Sequence, residues 1–587
     1  MASRSSRSRL CMPGRESQQH ADAPMWVVPV VYVLEMKGIF KPHQVLKAEG
    51  VLAEWISTMF TLFVSHQWLA HHHPDPDGVQ LQVLQGFVNG LIRKKLRIDT
   101  DFISQFNGRG LTKAELSQIG EAFIWFDYFS VPQILGAGVS QATEEQLLYI
   151  YNIPNYVDMC NLFVALVPKA MHHDTRSECS FNSFLERGWC RTELWSHFLS
   201  MRPKKMPILV VKSHESAQFT TSLWYRYPVH SGSFAVEEDR ACCRQVIRSA
   251  LTRHVFELSQ SKNKTAFRLY LALFEEVTGL PAKCRTVEGF LRDFSFKKPL
   301  KQQGLGPVAC AVLSGDHRLL RSLATIKASI QTKAPAMPEV LYMADLSPLH
   351  LALWFRSHDL QMLETLLELR ADLQRSSVNV APPLNLCRTE AAVELLVQYR
   401  AGVNFQGKDL AQSCPIQSMA ALGAPCEVLV KLLELRADVH GGKGGLASAS
   451  PLHHIAYSGD SGNDLRSAQL LLRSRADINQ VLRPEGIVRS IELMSRLYSW
   501  CCRREANLLV SVASNISTTP LGWCAIFDNE GTLAFLLRAR ADPEIANNRG
   551  LRPIDFARSE RIRRILQDPT LHICLLEHNS DQVSWSF

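Results

Sequence analysis

The stretch that decides the fold of the first part of the chain is RGWCRTELWSHFL, residues 187–199. Gly188 is a natural break before a helix, and Trp189, Glu193 and His197 follow at positions i, i+4 and i+8. On a helix these three side chains lie along one face. A carboxylate between an indole and an imidazole is either a catalytic group or the polar edge of a packed helix, so the surrounding sequence has to distinguish the two.

Short apolar segments bounded by polar residues occur around this helix and predict buried parallel strands. They are residues 61–65, 121–126, 161–168 and 206–211, with helical spacing between them at residues 79–96 and 144–160. This alternation predicts a doubly wound parallel sheet within residues 25–215. Ligands of such sheets bind beyond the carboxyl ends of the strands, where this sequence has Ser65, His66, Trp68 and Asp127, and the loop before Trp189.

The composition limits the class of protein. A chain of 587 residues exceeds one ordinary core, and we expect roughly three domains. The net charge of +8 is modest and no dense Lys/Arg tract is present, so nucleic-acid binding is not indicated. The 15 cysteines are scattered without a CxxC pair, which indicates reduced thiols and a cytoplasmic location. No run reaches the roughly 18 apolar residues of a spanning helix, so no membrane segment is predicted.

Three segments are predicted to lie outside the folded domains or between them. Residues 1–24 are rich in Ser and Arg and poor in acids, which is typical of a disordered leader, with a transit peptide as the alternative. Residues 216–300 are interpreted as a helical connector that packs on either neighbour. Residues 566–587 are expected to form a C-terminal tail.

From about residue 301 to residue 565 the chain repeats itself. A proline followed by an apolar residue recurs at Pro348, Pro383, Pro415, Pro451, Pro520 and Pro553, at intervals of 35, 32, 36, 69 and 33 residues. A Leu-rich helix follows, and then Arg-Ala-Asp or a close variant, at residues 370–372, 400–402, 436–438, 475–477 and 540–542. The longest interval contains an insertion at about residues 482–516. Residues 307–331 match a degenerate first repeat.

These repeats resemble the ankyrin repeat, which has a period of about 33 residues and the signature TPLHxA. The nearest copies are SPLHLA at residues 347–352 and SPLHHIA at residues 450–456. The resemblance implies a solenoid in which the Leu, Ala and Pro positions stack neighbouring repeats. It also implies a protein partner, bound by the variable turn tips and the concave helix face.

The N-terminal part resembles a Toll/interleukin-1 receptor (TIR) domain. The strand ending in FVS at residues 63–65 and the helix with WCRTEL at residues 189–194 are similar to those of plant-type TIR domains. WFDYFSVPQ at residues 125–133 and the RGWxxxE step also resemble the fungal heterokaryon-incompatibility domain, a relative of the TIR fold. The expected fold class is therefore α/β plus all-α: a doubly wound TIR-like domain, a helical connector and an ankyrin-repeat solenoid.

The TIR resemblance implies cleavage of NAD at the nicotinamide–ribose bond by one glutamate, which here is Glu193. Departure of nicotinamide develops an oxocarbenium-like ribose, and a carboxylate near the ribose hydroxyls stabilises that charge. NAD is then a substrate, and neither a cofactor nor a metal is required. The residues expected to bind it are Ser65, His66, Trp68, Asp127 and Trp189.

Two other interpretations stay open. In one, the protein is a non-enzymatic adaptor that uses the TIR-like domain for self-association, and Glu193 lies on a solvated helix face, paired with Arg187 or Arg191. In the other, the domain acts on a nucleotide other than NAD. A pocket that joins Glu193 to Ser65 and Asp127 favours the enzyme interpretations.

The segment HHHPDPDG at residues 71–78 is rich in potential metal ligands. A polar loop closed by Gly78 is the favoured interpretation, and a metal site is the alternative. Glu193 and His197 lack a third ligand in the sequence, so no metal site is predicted there.

Overall fold

The computed structural model describes residues 23–100, 110–133, 144–200, 208–220, 227–296, 305–335, 337, 344–409, 412–443, 445–458, 462–502 and 508–568. The chain divides into two compact units, residues 1–283 with 288–297, and residues 284–287 with 298–587. Of the leader predicted at residues 1–24, only the last two residues are described. The predicted tail lies outside the described residues from residue 569 onward. No helix within the described ranges is long and apolar enough to cross a bilayer.

An eight-stranded sheet lies at the centre of the first unit, in the order β2-β1-β5-β3-β6-β9-β10-β4, and β7 and β8 form a separate hairpin. The strands are β1 Trp26–Pro29, β2 Ala53–Glu54, β3 Thr61–His66, β4 Arg97–Thr100, β5 Phe123–Trp125, β6 Leu162–Leu166, β7 Ala170–Met171, β8 Glu178–Cys179, β9 Ile208–Val211 and β10 Ser216–Thr220. β5, β3, β6 and β9 are parallel neighbours. They correspond to the four strands predicted from the sequence.

The order of these four parallel strands determines where a ligand can bind. Counted along the chain, the first strand is β3 and the spatial order is 2-1-3-4, as in flavodoxin-like doubly wound sheets. After β3, the next parallel strand, β5, is added on one side of β3, and the following strand, β6, is added on the other side of β3. The carboxyl ends of β3 and β6 therefore flank the switch point, where Ser65 pairs with Ala165 and His66 with Leu166.

Helices cover both faces of this sheet. They are α1 Val30–Glu35, α2 His43–Ala48, α3 Val79–Ile92, α4 Lys113–Gln118, α5 Asp127–Ser130, α6 Glu144–Met159, α7 Phe181–Glu186, α8 Gly188–Leu199, α9 Glu238–Gln260, α10 Lys264–Ala272, α11 Phe274–Thr278 and α12 Val287–Asp293. Alternate strand side chains point to opposite faces. Leu62 and Val64 therefore pack with α3 in one core, and Phe63 packs with α6 and α8 in the other.

The described parts of residues 216–283 and 288–297 belong to the first unit, so the boundary expected at residue 215 lies inside that unit. Strand β10 extends the sheet, and α9 packs against α8. Gly188 permits this packing, because a Cβ on it would lie 1.9 Å from the ring of Phe234. The sequence of β10, SAQFT, alternates polar and apolar residues, but an alternation over only five residues is a weak signal for a strand.

The second unit consists of stacked helix pairs, as the ankyrin resemblance predicts. Its helices are α13 Pro307–Leu313, α14 His317–Thr325, α15 Pro348–Phe355, α16 Leu360–Glu368, α17 Glu390–Gln398, α18 Pro415–Ala421, α19 Cys426–Glu434, α20 Pro451–Ser458, α21 Gly462–Arg473, α22 Gly486–Cys502, α23 Leu508–Ser514, α24 Pro520–Phe527, α25 Glu530–Arg538 and α26 Glu560–Gln567. The 3₁₀ turns Pro383–Leu386 and Pro553–Phe556 replace the first helix of two pairs. α20 contacts α24, so the insertion, which forms α22 and α23, leaves the stack continuous.

The Arg-Ala-Asp marker has a defined role at the end of the second helix of a pair. Arg370 has φ of 63° and occupies the left-handed position after the helix, where glycine is usual. The amide of Ala371 donates to the carbonyl of Leu366 at 2.9 Å, which closes the helix end. The Asp372 carboxylate then accepts the amide of Gln374 at 2.9 Å and begins the connecting turn.

In several repeats the fourth residue of the Pro-containing step joins the repeat to the next through a buried hydrogen bond. His350 bonds to the carbonyl of Ala381 and His453 to that of Thr518, both at 3.0 Å. Gln417 occupies the equivalent position and donates to the carbonyl of Ala449. Burial lowers the pKa of His350 to about 4 and that of His453 to about 3, so both rings are neutral at pH 7.

We expect the array to lose stability in acid through these two histidines. Their pKa values are lower in the folded state than the usual 6.5, so the unfolded chain binds more protons and the free energy of unfolding falls as the pH drops from 6.5 towards 4. The loss is about 3 kcal/mol per histidine. Hydrogen exchange of α15 and α20, corrected for the intrinsic pH dependence of exchange, measures it.

Replacing both histidines with glutamine provides the critical variant, because the chain already uses Gln417 at that position. His350→Gln with His453→Gln should flatten the acid dependence and keep the hydrogen bonds. The exposed His440 supplies the control, and His440→Gln should leave the acid dependence unchanged. An acid dependence equally steep in the double variant would contradict this explanation.

Candidate active site at the switch point of the sheet

Helix α8 places Glu193 inside the first unit. The helix is buried on nearly all sides, and Glu193 is only 8% exposed. The guanidinium of Arg191 donates to the carbonyls of Leu185 and Pro228 and to the Ser231 hydroxyl. The expectation of Glu193 on a solvated face, paired with an arginine, is therefore wrong, because α9 and residues 228–234 cover the outer side of α8.

The carboxyl group of Glu193 meets the carboxyl end of the central strand. The hydroxyl of Ser65, a fully buried residue of β3, donates a short hydrogen bond to Oε2 of Glu193. The Cys190 thiol, one turn earlier on α8, donates to the carbonyl of His66 at 3.2 Å. Two contacts thus join α8 to the last two residues of β3, and the carboxyl group of Glu193 lies at the switch point.

His66 forms a second polar pair beside this contact. Its Nε2 lies 2.8 Å from Oδ1 of Asp127, the first residue of α5 after strand β5. Its Nδ1 lies 2.9 Å from Oε1 of Gln80, whose amide nitrogen donates to the Gln67 carbonyl. Both ring nitrogens of His66 therefore have a hydrogen-bond partner, and the ring is held from two sides.

The structure brings together five of the six residues expected at the site. The indole N–H of Trp68 donates to Oδ2 of Asp127 at 3.1 Å, which adds Trp68 to the group of Ser65, His66, Asp127 and Glu193. The Asp127 side chain is 35% exposed and Trp68 is half-buried, so the group opens to solvent on this side. Trp189 is directed elsewhere, because its indole N–H donates to Asp239 of α9 at 2.9 Å.

The two carboxyl groups of this site have pKa values shifted in opposite directions. Burial raises the pKa of Glu193 well above 4.5, the charge of Asp127 raises it further, and the Ser65 hydrogen bond does not offset these effects. Burial also acts to raise the pKa of Asp127. There the charge of His66 and the hydrogen bonds from His66, Trp68 and the Tyr128 amide prevail and lower it below 3.8. Such a separation gives the two carboxyls different chemical roles.

Gln80 and Gln67 are two site residues that the sequence analysis missed. Gln80 is buried on α3 and orients His66, while Gln67 bonds to the Ser180 carbonyl and to the Ser183 hydroxyl before α8. A glutamine on the core-facing side of the predicted helix at residues 79–96 was the available signal, because a buried amide requires partners. The partners themselves come from distant parts of the chain.

Comparisons with known proteins find solved structures that are similar to part of this chain. No family model matches the chain, and no curated protein matches it. The chain is similar to the solved ankyrin repeat domain of human ASB11, at 18% identity over 45% of this chain and 96% of that one, with a TM-score of 0.32. It is also similar to the ankyrin repeat domain of Bcl-3, at 19% identity over 46% and 100%, with a TM-score of 0.29. The repeat markers and the stacked helix pairs are the basis for describing the second unit as an ankyrin array.

We expect Glu193 to make the first unit less stable as the pH rises. The folded state holds the proton of Glu193 above the usual pKa of 4.5 while the unfolded chain releases it, so stability falls from pH 4.5 upward to the folded pKa. Glu193→Gln keeps the shape and removes this titration. Hydrogen exchange of β3 and α8, again corrected for intrinsic rates, should show equal protection at pH 4.5 and stronger protection of the variant at pH 8.

The matched control is Glu186→Gln, the same change at an exposed carboxyl one turn before α8. It should follow the parent at both pH values. Weaker protection of the Glu193→Gln variant at pH 8 would show that the folded state holds Glu193 ionised.

Proposed function

We propose that the first unit cleaves NAD at the nicotinamide–ribose bond, with Glu193 as the carboxyl that acts at the ribose. The observation that carries the proposal is the hydrogen bond of the buried Glu193 to Ser65 at the switch point, beside the pair of His66 and Asp127. A doubly wound sheet binds ligands at this point. The TIR resemblance assigns the reaction to the same glutamate.

The shifted pKa of Glu193 fits a cationic substrate. The free protein holds the carboxyl neutral, and a nicotinamide ribosyl cation beside it favours loss of its proton to solvent. The C–N bond then breaks, its electron pair goes to the ring nitrogen, and neutral nicotinamide leaves. Ionised Glu193 stabilises the positive charge left on the ribose. Water adds to the ribose carbon and releases a proton.

The neighbouring residues have supporting roles in this scheme. Asp127 is ionised and partly exposed, so its charge attracts the cationic ring from the open side of the site. Trp68 lies on the same side and offers an aromatic surface for a ring of the substrate. Ser65 holds the Glu193 carboxyl in place, and His66 holds Asp127 through the contact of Nε2 with Oδ1.

Nicotinamide release from NAD by the full chain tests this function. It should be measured at high protein concentration, because the TIR resemblance implies activity on clustering. We expect Glu193→Gln to lower the rate by about 10²-fold or more, as is typical for loss of a charge-stabilising group, and Glu186→Gln to leave it unchanged. The parent rate should rise with pH through the raised pKa of Glu193. Equal release by the parent and Glu193→Gln would contradict the proposal, as would no release by either.

We further propose that the ankyrin array binds a protein partner in the cytoplasm. α22, in the insertion, exposes large apolar side chains, from 46% for Ile491 to 79% for Trp500. Arg489 and Arg496 both bond to the fully buried Glu492, so each basic residue of this helix has a carboxylate partner. An uncharged apolar helix face suits an apolar groove of a protein better than an anionic lipid surface, which requires a free basic face. The cysteines whose side chains are described form no disulfide bond, a state that a reducing compartment such as the cytoplasm maintains.

A photo-crosslinking residue at position 500 tests this interaction in extracts of cells that express the protein. We expect one discrete adduct with another protein, which Met494→Ser in the same chain should abolish because Met494 is 67% exposed on the same helix. A crosslinker at Arg564, which is 70% exposed on α26, is the control and should give no such adduct. An adduct of two copies of this chain would instead indicate self-association through α22.

A further inference from the structure

A second cluster of functional side chains lies outside the candidate active site. His71, in the loop after β3, and His172 and Asp174, in the hairpin of β7 and β8, place potential metal-ligand atoms within 4.8 Å of one another. Among the residues that the structure describes, these three form the one group of His, Cys, Asp or Glu side chains that lie close enough together to hold a metal ion. His71 and Asp174 are exposed, and His172 is 6% exposed.

The backbone already holds the loop and the hairpin together at this cluster. The amide of His71 donates to Oδ2 of Asp174 at 2.7 Å, and the amide of His173 donates to the Leu69 carbonyl at 2.6 Å. The rings of His71 and His172 meet edge to face, with centroids 5.3 Å apart. The three side chains are therefore positioned by a tertiary contact rather than by neighbouring sequence positions.

The remaining members of the His-rich tract have structural roles. His73 bonds through Nε2 to the Phe40 carbonyl and through Nδ1 to the Asp75 amide. Asp75 is fully buried and accepts the amide of Leu81 in the first turn of α3. The part of the tract around His73 is thus a structured loop. His71 is different, because its ring points to residues that the sequence analysis did not connect with it.

We propose that His71, His172 and Asp174 bind a zinc ion, with water as the fourth ligand. Two imidazoles and one carboxylate with an open position are a common zinc ligand set. His172 is buried, and the Thr175 amide donates to its Nδ1 at 3.2 Å, so its ring has a fixed direction.

Metal binding requires a small contraction of the cluster. Zinc–nitrogen and zinc–oxygen bonds of about 2.0–2.1 Å place tetrahedral ligand atoms about 3.4 Å apart, so the ligand atoms approach one another by on the order of 1 Å. The exposed side chains of His71 and Asp174 are free to make this movement. The ion fixes the loop that carries Trp68, a neighbour of the candidate active site, to the hairpin that leads into α7 and α8.

Zinc titration calorimetry on the chelator-treated full chain tests the site, with His71→Ala and Asp174→Asn as variants. Both side chains are exposed, and Asn keeps an oxygen that can accept the His71 amide, so both variants should fold as the parent does. We expect each to weaken the zinc site of the parent at least tenfold. His72→Ala changes the adjacent exposed histidine outside the cluster and should bind zinc as the parent does.

Two further measurements report the metal without any enzymatic activity. Cobalt(II) should give the intense visible absorption of tetrahedral coordination in the parent and not in His71→Ala. Zinc should also slow hydrogen exchange in residues 66–74 and 170–179 of the parent alone. The proposal is overturned if both variants bind zinc as the parent does. It is equally overturned if His72→Ala loses as much affinity as His71→Ala, because the ligands would then be a diffuse histidine patch.

Discussion

The hydrogen bond between the Ser65 hydroxyl and the Glu193 carboxyl is the contact on which the candidate site depends. It joins the central strand β3 to helix α8, two segments 128 residues apart in sequence, inside a core from which water is largely excluded. A buried carboxyl is costly unless it is neutral or paired. Here it has a hydroxyl donor and, among the residues that the structure describes, no cationic partner, so the fold favours the protonated form. The environment of Glu193 is therefore a consequence of the doubly wound topology, which brings the end of β3 and α8 together.

In the neighbouring pair of His66 and Asp127, the carboxyl group is stabilised in its charged form instead. Asp127 is also desolvated, but His66 and two further donors stabilise its charge. Gln80 holds the other side of the His66 ring, so the pair is fixed from two directions. Burial also sets the protonation state of side chains in the ankyrin array, where these side chains have a structural role. Its buried His350 and His453 are neutral because burial disfavours their charged form, and the hydrogen bond of each ring to a carbonyl of the next repeat does not offset this effect.

The sequence predicted much of the architecture, and the reasons for success and failure are physical. The four parallel strands are continuous apolar runs, and Pro348 and its equivalents recur at regular intervals along the array. The local sequence pattern was therefore sufficient to predict both. Strand β10 has an alternation of only five residues, and the packing of α9 on α8 depends on tertiary contacts such as that of Phe234 with Gly188, which no local pattern encodes. Ser65, His66, Trp68 and Asp127 were predictable as strand-end residues. Gln80, the direction of Trp189 and the meeting of His71 with His172 were not.

The measurement that tests the central claim most directly is the protonation state of Glu193 in the free full-length protein. The infrared difference spectrum between the parent and Glu193→Gln at neutral pH resolves this one group. A carbonyl band of a protonated carboxylic acid, which disappears in the variant, is the result that the buried Ser65–Glu193 contact predicts. A carboxylate band in its place would mean that an unrecognised cation or water stabilises the charge, and would contradict the account of the site.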